Sequence, residues 1–175
     1  MRATGLFLLL MIPLLGISQV HQPVEWETRV MNTKGDTALV QITANIERGW
    51  HIYSQKQNIK NGPVATSISF APAKEYILSG KTDEDKPLSR SEPAYDNMMV
   101  SYFEGSPVFT QKIIRNTGNK FAITAEVNYM ACSDEMCLPP ETKELAIVIS
   151  EKPEMRISAA DTSVGSTSET DNRKA

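Results

Sequence analysis

The chain has 175 residues, with 18 Lys and Arg against 21 Asp and Glu and a net charge of −3. No basic cluster stands out, which argues against nucleic acid or an anionic membrane surface as a partner. The length suits one domain with its own core and leaves no room for a second.

At the N-terminus, Arg2 precedes the apolar run Leu6 to Ile17 and the small-residue pattern Gly16-Ile17-Ser18. This is the layout of a secretory signal peptide, and residues 1–18 are expected to be one, cut after Ser18. The run is about 12 residues, well short of the roughly 20 that a spanning helix needs. No cysteine lies near the cut, so no lipid anchor and no membrane insertion after cleavage are expected. The destination expected is outside the cytoplasm, with residues 19–152 as the folded domain.

Within that domain Val40, Ile42, Ala44 and Ile46 alternate with Gln41, Thr43, Asn45 and Glu47, the two-residue period of a half-buried strand. Phe121, Ile123, Ala125, Val127 and Tyr129 repeat the pattern. Further strands are expected at Val24–Val30, Trp50–Ser54, Thr66–Phe70, Glu75–Ser79, Val108–Ile114 and Leu145–Ile149, separated by Gly, Pro, Asn and Asp groups. No apolar stripe at helical spacing runs for three turns. The fold class expected is therefore all-β, an immunoglobulin-like β-sandwich. Lys81 to Met99, with Pro87 and Pro93, is too long for a hairpin turn and is expected to be an ordered loop covering a site. Alternation makes His51 a half-exposed strand residue. Beyond Pro153 the composition turns to Ser, Thr, Ala and Asp, so residues 153–175 are expected to be a disordered polar tail.

The chemistry-bearing segment is Tyr129-Met130-Ala131-Cys132-Ser133-Asp134-Glu135-Met136-Cys137-Leu138-Pro139-Pro140-Glu141-Thr142. Its 2 cysteines are the only ones in the chain, and they flank a turn between two strands. Closing so short a loop removes only about 2 kcal/mol of unfolded-state entropy, a weak staple. Three readings stand open on spacing alone: a redox pair, a structural disulfide in a non-catalytic interaction module, and half of a zinc site completed by His21 and His51. No helix follows to acidify a thiol, and the motif itself holds no cation, so neither thiol is expected to be strongly acidic. Asp134 and Glu135 read as solvated turn residues, and Met136 reads first as a gap-filler, like Met98, Met99 and Met130, and second as an apolar rim beside Cys137.

The run Cys132-x4-Cys137-Leu138-Pro139-Pro140-Glu141-Thr142 after Tyr129 resembles the active-site segment of the N-terminal periplasmic domain of the transmembrane reductase DsbD. Gly49-Trp50-His51-Ile52-Tyr53-Ser54 resembles that family's aromatic strand, and Phe103-Glu104-Gly105 its cap loop. The chain departs from the pattern in a shorter cysteine spacing and in Ser101 and Tyr102, which stand where acidic residues flank the cap. The resemblance implies an immunoglobulin-like domain, part of a protein-disulfide reductase, whose redox pair is Cys132 and Cys137 and whose cap is Phe103. It implies a monomer that needs no metal or organic cofactor. Its electron donor would be the thioredoxin-like domain of a membrane disulfide reductase. Its clients would be a periplasmic disulfide isomerase or a cytochrome c maturation thioredoxin. By position, Cys137 would make the intermolecular bond and Cys132 would resolve it.

Overall fold

The computed structural model describes residues 21–33, 35–57 and 62–151. The expected signal peptide and polar tail lie outside them. Among the described residues the chain is all-β, broken only by a 3-10 turn at Pro93–Tyr95. The strands are β1 (Val24–Asn32), β2 (Thr37–Ile46), β3 (Trp50–Tyr53), β4 (Ser67–Phe70), β5 (Tyr76–Leu78), β6 (Asp83–Glu84), β7 (Leu88–Glu92), β8 (Met98–Phe103), β9 (Val108–Arg115), β10 (Phe121–Tyr129), β11 (Ala131–Ser133) and β12 (Glu141–Ile149).

Three sheets form: β1-β2-β9-β5 with β6 also on β9, β12-β10-β4, and β11-β3-β8-β7. Every pairing is antiparallel. The first two sheets close on one apolar core, as the two-residue period requires. β2 supplies Ala38, Val40, Ile42 and Ala44, and β10 supplies Ile123, Ala125, Val127 and Tyr129. Each fully buried aliphatic or aromatic side chain contributes about 2 kcal/mol by leaving water. The product is the immunoglobulin-like sandwich expected from the alternation.

β12 starts four residues before Leu145, because Glu141 to Glu144 pair with Tyr129 to Glu126 of β10. Their side chains give no apolar signal, and the ladder alone extends the strand. Lys81 to Met99 also departs from the expected loop. It contains β6, the whole of β7 and the start of β8, and β7 and β8 form a hairpin by pairing Leu88 with Tyr102 through Glu92 with Met98.

The third sheet has two differently used faces. Ala131 lies opposite Ile52, and Ile52 opposite Phe103, so these three side chains point the same way, into the main core. On the other face Cys132 lies opposite His51, and Tyr53 opposite Tyr102. That face carries a second buried cluster of Tyr53, Val100, Met130 and Cys132, with Tyr95 and Tyr102 packed against it.

Candidate functional site

β10 ends at Tyr129, and after Met130 the chain continues as β11 in a different sheet, where Cys132 pairs with His51. Local hydrogen bonds then turn the backbone. The amide of Ser133 donates to the carbonyl of Met136 at 2.8 Å, and that of Leu138 to the carbonyl of Ala131 at 2.9 Å. Ser133 Oγ accepts from the amides of Glu135 and Met136, both at 3.2 Å, a hydroxyl-capped turn of the kind serine favours. This places Cys137 directly opposite Cys132, with Cα atoms 4.0 Å apart and the sulfurs joined.

The two cysteines differ sharply in access. Cys132 is 1% exposed within the second cluster, whereas Cys137 is exposed. Cys137 opens on a cavity of about 660 Å³ whose walls include Arg90, Glu92, Tyr95, Asp134 and Met136. Met136, 56% exposed, fills no gap and lines the cavity beside Cys137, the second of the two readings its position allowed. Exchange needs access to the sulfur that is attacked, and of the two cysteines only Cys137 is exposed.

Phe103 stands elsewhere. It is buried in the main core, edge-on to Phe109 at 5.7 Å between ring centres, on the opposite face of its sheet from Cys132. The strand period is the reason: its neighbour Tyr102, one residue back, takes the face that Cys132 shares. The aromatic side chains clustered with Cys132 are thus Tyr53, Tyr95 and Tyr102.

Behind the disulfide lies a polar network that the motif did not reveal. His51 is not half-exposed but 2% exposed. Its Nε2 is 3.2 Å from Arg90 Nη2 and 3.1 Å from the Tyr53 hydroxyl. Arg90 donates to the buried Glu92 carboxylate from Nη2 at 2.8 Å and Nε at 3.1 Å, reaches Asp134 Oδ1 from Nη1 at 3.4 Å, and lies 4.9 Å over the Tyr102 ring. The motif itself holds no cation, and β7 brings Arg90 to the folded site. Burial, with the Arg90 guanidinium second, lowers the His51 pKa to about 4, so the ring is neutral at neutral pH and its 3.7 Å approach to Glu92 is not an ion pair. Burial and then the Glu92 charge push the ionisation of Tyr53 above its ordinary range. Arg90, Glu92 and Tyr95 all come from the Lys81–Met99 segment. Its length was the one signal that pointed to them.

The family model of the N-terminal domain of the thiol:disulfide interchange protein DsbD matches residues 19–149. Among solved structures, the chain is similar to the N-terminal periplasmic domain of ScsB from Proteus mirabilis at 12% identity and a TM-score of 0.54, over 73% of this chain and 47% of that one. It is similar to the reduced DsbD N-terminal domain of Neisseria meningitidis at 15% identity and a TM-score of 0.47, over 67% of this chain and 85% of that one. A chain in the complex of the DsbD and PilB N-terminal domains of Neisseria meningitidis is similar at 13% identity and a TM-score of 0.47, over 73% of this chain and 88% of that one. At such identities the ScsB likeness speaks for the fold alone. No curated protein sequence matches the chain.

Proposed function

This chain belongs to the family of the N-terminal domain of the thiol:disulfide interchange protein DsbD, and from that premise we propose that it relays electrons in the periplasm between a membrane reductase and client proteins through Cys132 and Cys137. Membership makes it a thiol-disulfide exchange domain. The direction of flow, the partners and the division of labour between the cysteines are the proposal.

The observation that carries it is the pairing of an exposed Cys137 with a buried Cys132 at the mouth of a cavity. In the reduced domain the Cys137 thiolate attacks a client disulfide. A bond forms between Cys137 and one client sulfur, and the other client sulfur leaves with the electron pair and takes a proton from water. The Cys132 thiolate then attacks the Cys137 sulfur, the domain disulfide closes, and the second client sulfur departs. The client gains two electrons and the domain loses two. A dithiol on the thioredoxin-like domain of the reductase runs the same steps in reverse and restores the pair. Tyr95 and Tyr102 shield the Cys132 side and leave Cys137 as the point of entry. Residues 1–18 act as the export signal, and residues 153–175 stand outside the exchange domain.

Trapping in the native compartment tests the roles. Cys132→Ser is expected to accumulate a reductant-sensitive adduct with a thioredoxin-like protein, seen on a non-reducing gel, because its resolving thiol is gone. Cys137→Ser is expected to accumulate much less. The reverse pattern exchanges the roles, and no adduct from either variant speaks for a structural disulfide in an interaction module.

A further inference from the structure

Breaking the disulfide at Cys137 releases Cys132 as a thiolate inside the protein, among Tyr53, Val100 and Met130. An anion in such surroundings requires a hydrogen-bond donor or a cation, or it takes up a proton and ceases to be a nucleophile. The charged groups facing it are few. Arg90 from β7 is cationic, but two carboxylates already meet its charge, Glu92 of the same strand and Asp134 of the cysteine turn. The tyrosines that surround it, Tyr53 on β3, Tyr102 on β8 and Tyr95 on the 3-10 turn, bring no positive charge, and the Tyr53 hydroxyl is engaged with His51.

The cross-strand partner of Cys132 is His51. Directly opposed residues of an antiparallel pair carry Cβ atoms about 5 Å apart on one face, close enough for side chains to meet. Both are almost fully buried. The state of the imidazole follows from Arg90. A guanidinium has no acceptor atom, so the Nη2 contact at 3.2 Å is a hydrogen bond when His51 Nε2 is the bare, accepting nitrogen, and the Tyr53 hydroxyl, 3.1 Å from the same nitrogen, can donate to it as well. In that form the ring's proton is on Nδ1, the nitrogen bonded to Cγ and the nearer of the two to the backbone that pairs with Cys132.

We propose that His51, held by Arg90 in its Nδ1–H form, donates a hydrogen bond to the Cys132 thiolate and so keeps the buried sulfur nucleophilic for the resolving step. The inference rests on the exchange reading and deepens it. His51 takes no proton in the step. The proton of the Cys132 thiol goes to water, and the Nδ1–H bond steadies the anion until it attacks Cys137. Arg90 acts through His51 and is a positioning residue. Neutrality is what suits the ring to this task, and its lowered pKa keeps it neutral throughout the range in which a thiol titrates.

The test needs no partner protein. In a Cys137→Ser background Cys132 is the lone thiol, and its ionisation is followed by ultraviolet thiolate absorbance. His51→Phe is expected to reduce the thiolate fraction at a given pH about tenfold, the scale of one hydrogen bond to a charged group. His51→Asn, whose amide nitrogen occupies the place of Nδ1, is expected to restore most of it, whereas His51→Gln, which places its amide at Nε2, is not. Arg90→Met, which frees the tautomer, is expected to lie between Phe and wild type. Equal titrations for wild type and His51→Phe overturn the proposal, and rescue by Gln in place of Asn overturns the tautomer on which it stands. Should His51→Phe fail to fold, the Asn and Gln variants decide by themselves, with equal values counting against. Because the titration does not depend on turnover, it can fail while adduct trapping succeeds, and the reverse.

Discussion

At the scale of single residues, one strand step separates Phe103 from Tyr102 and decides which ring can shield the disulfide. Tyr95→Ala is expected to raise the rate at which the reduced domain reacts with a small soluble thiol reagent, because Tyr95 both packs on the cluster of Cys132 and lines the cavity at Cys137. Phe103→Ala is expected instead to cost about 3–5 kcal/mol of stability, as a large side chain removed from a core, with native-state reactivity unchanged. Reagent kinetics beside thermal melts separate the two effects, and faster reaction in a fully folded Phe103→Ala protein would return the cap to that residue. His51 gives a pH signature. Its folded pKa of about 4 lies below the ordinary 6.5, so between these values the unfolded chain binds a proton that the folded chain does not. Stability from this source is fully present above about pH 6.5, is lost as pH falls toward 4, and amounts to something on the order of 3 kcal/mol. Denaturant melts across that window are expected to show the slope in wild type and to lose it in His51→Phe.

At the scale of elements, the Lys81–Met99 segment is an arm of strand and turn, and the anchor of its first half is Glu84. The buried Glu84 carboxylate accepts from Ser54 Oγ at 2.6 Å and from the Gln55 amide at 2.9 Å, tying β6 to the end of β3. Glu84→Ala leaves both donors unmatched and is expected to cost about 3 kcal/mol. The Gln55 amide should also exchange its hydrogen much faster. A loss below about 1 kcal/mol with unchanged exchange at Gln55 would show that the arm is held from β7 onward, by its ladder with β8. The second half positions the site: β7 brings Arg90 and Glu92 to His51, and the 3-10 turn lays Tyr95 on the cluster of Cys132. Glu92 precedes Pro93, and its extended backbone, with φ −107° and ψ 105°, is the conformation that a residue before proline adopts.

At the scale of the whole molecule, the disulfide is expected to contribute little to holding the sandwich together, since it closes a turn that the Ser133 and Leu138 amide bonds also set. Reducing the pair is expected to lower stability by about 2 kcal/mol or less. Its potential against glutathione is expected to lie above about −300 mV, the region of exchange-active pairs. A lower potential joined to a loss of several kcal/mol would make the bond a brace. The sequence by itself determined the all-β class, the main core and the Cys132–Cys137 segment, because each is written in local terms: period-two alternation at Val40 to Ala44 and Ile123 to Tyr129, and a short motif around a turn. What only the tertiary structure decided was which cysteine is buried, which aromatic rings cover it, and that Arg90, Glu92 and His51 meet behind it. Those facts depend on register between strands far apart in the chain. A shift of one residue in the β3–β8 pairing would exchange Phe103 for Tyr102, and no local pattern of polarity records that choice.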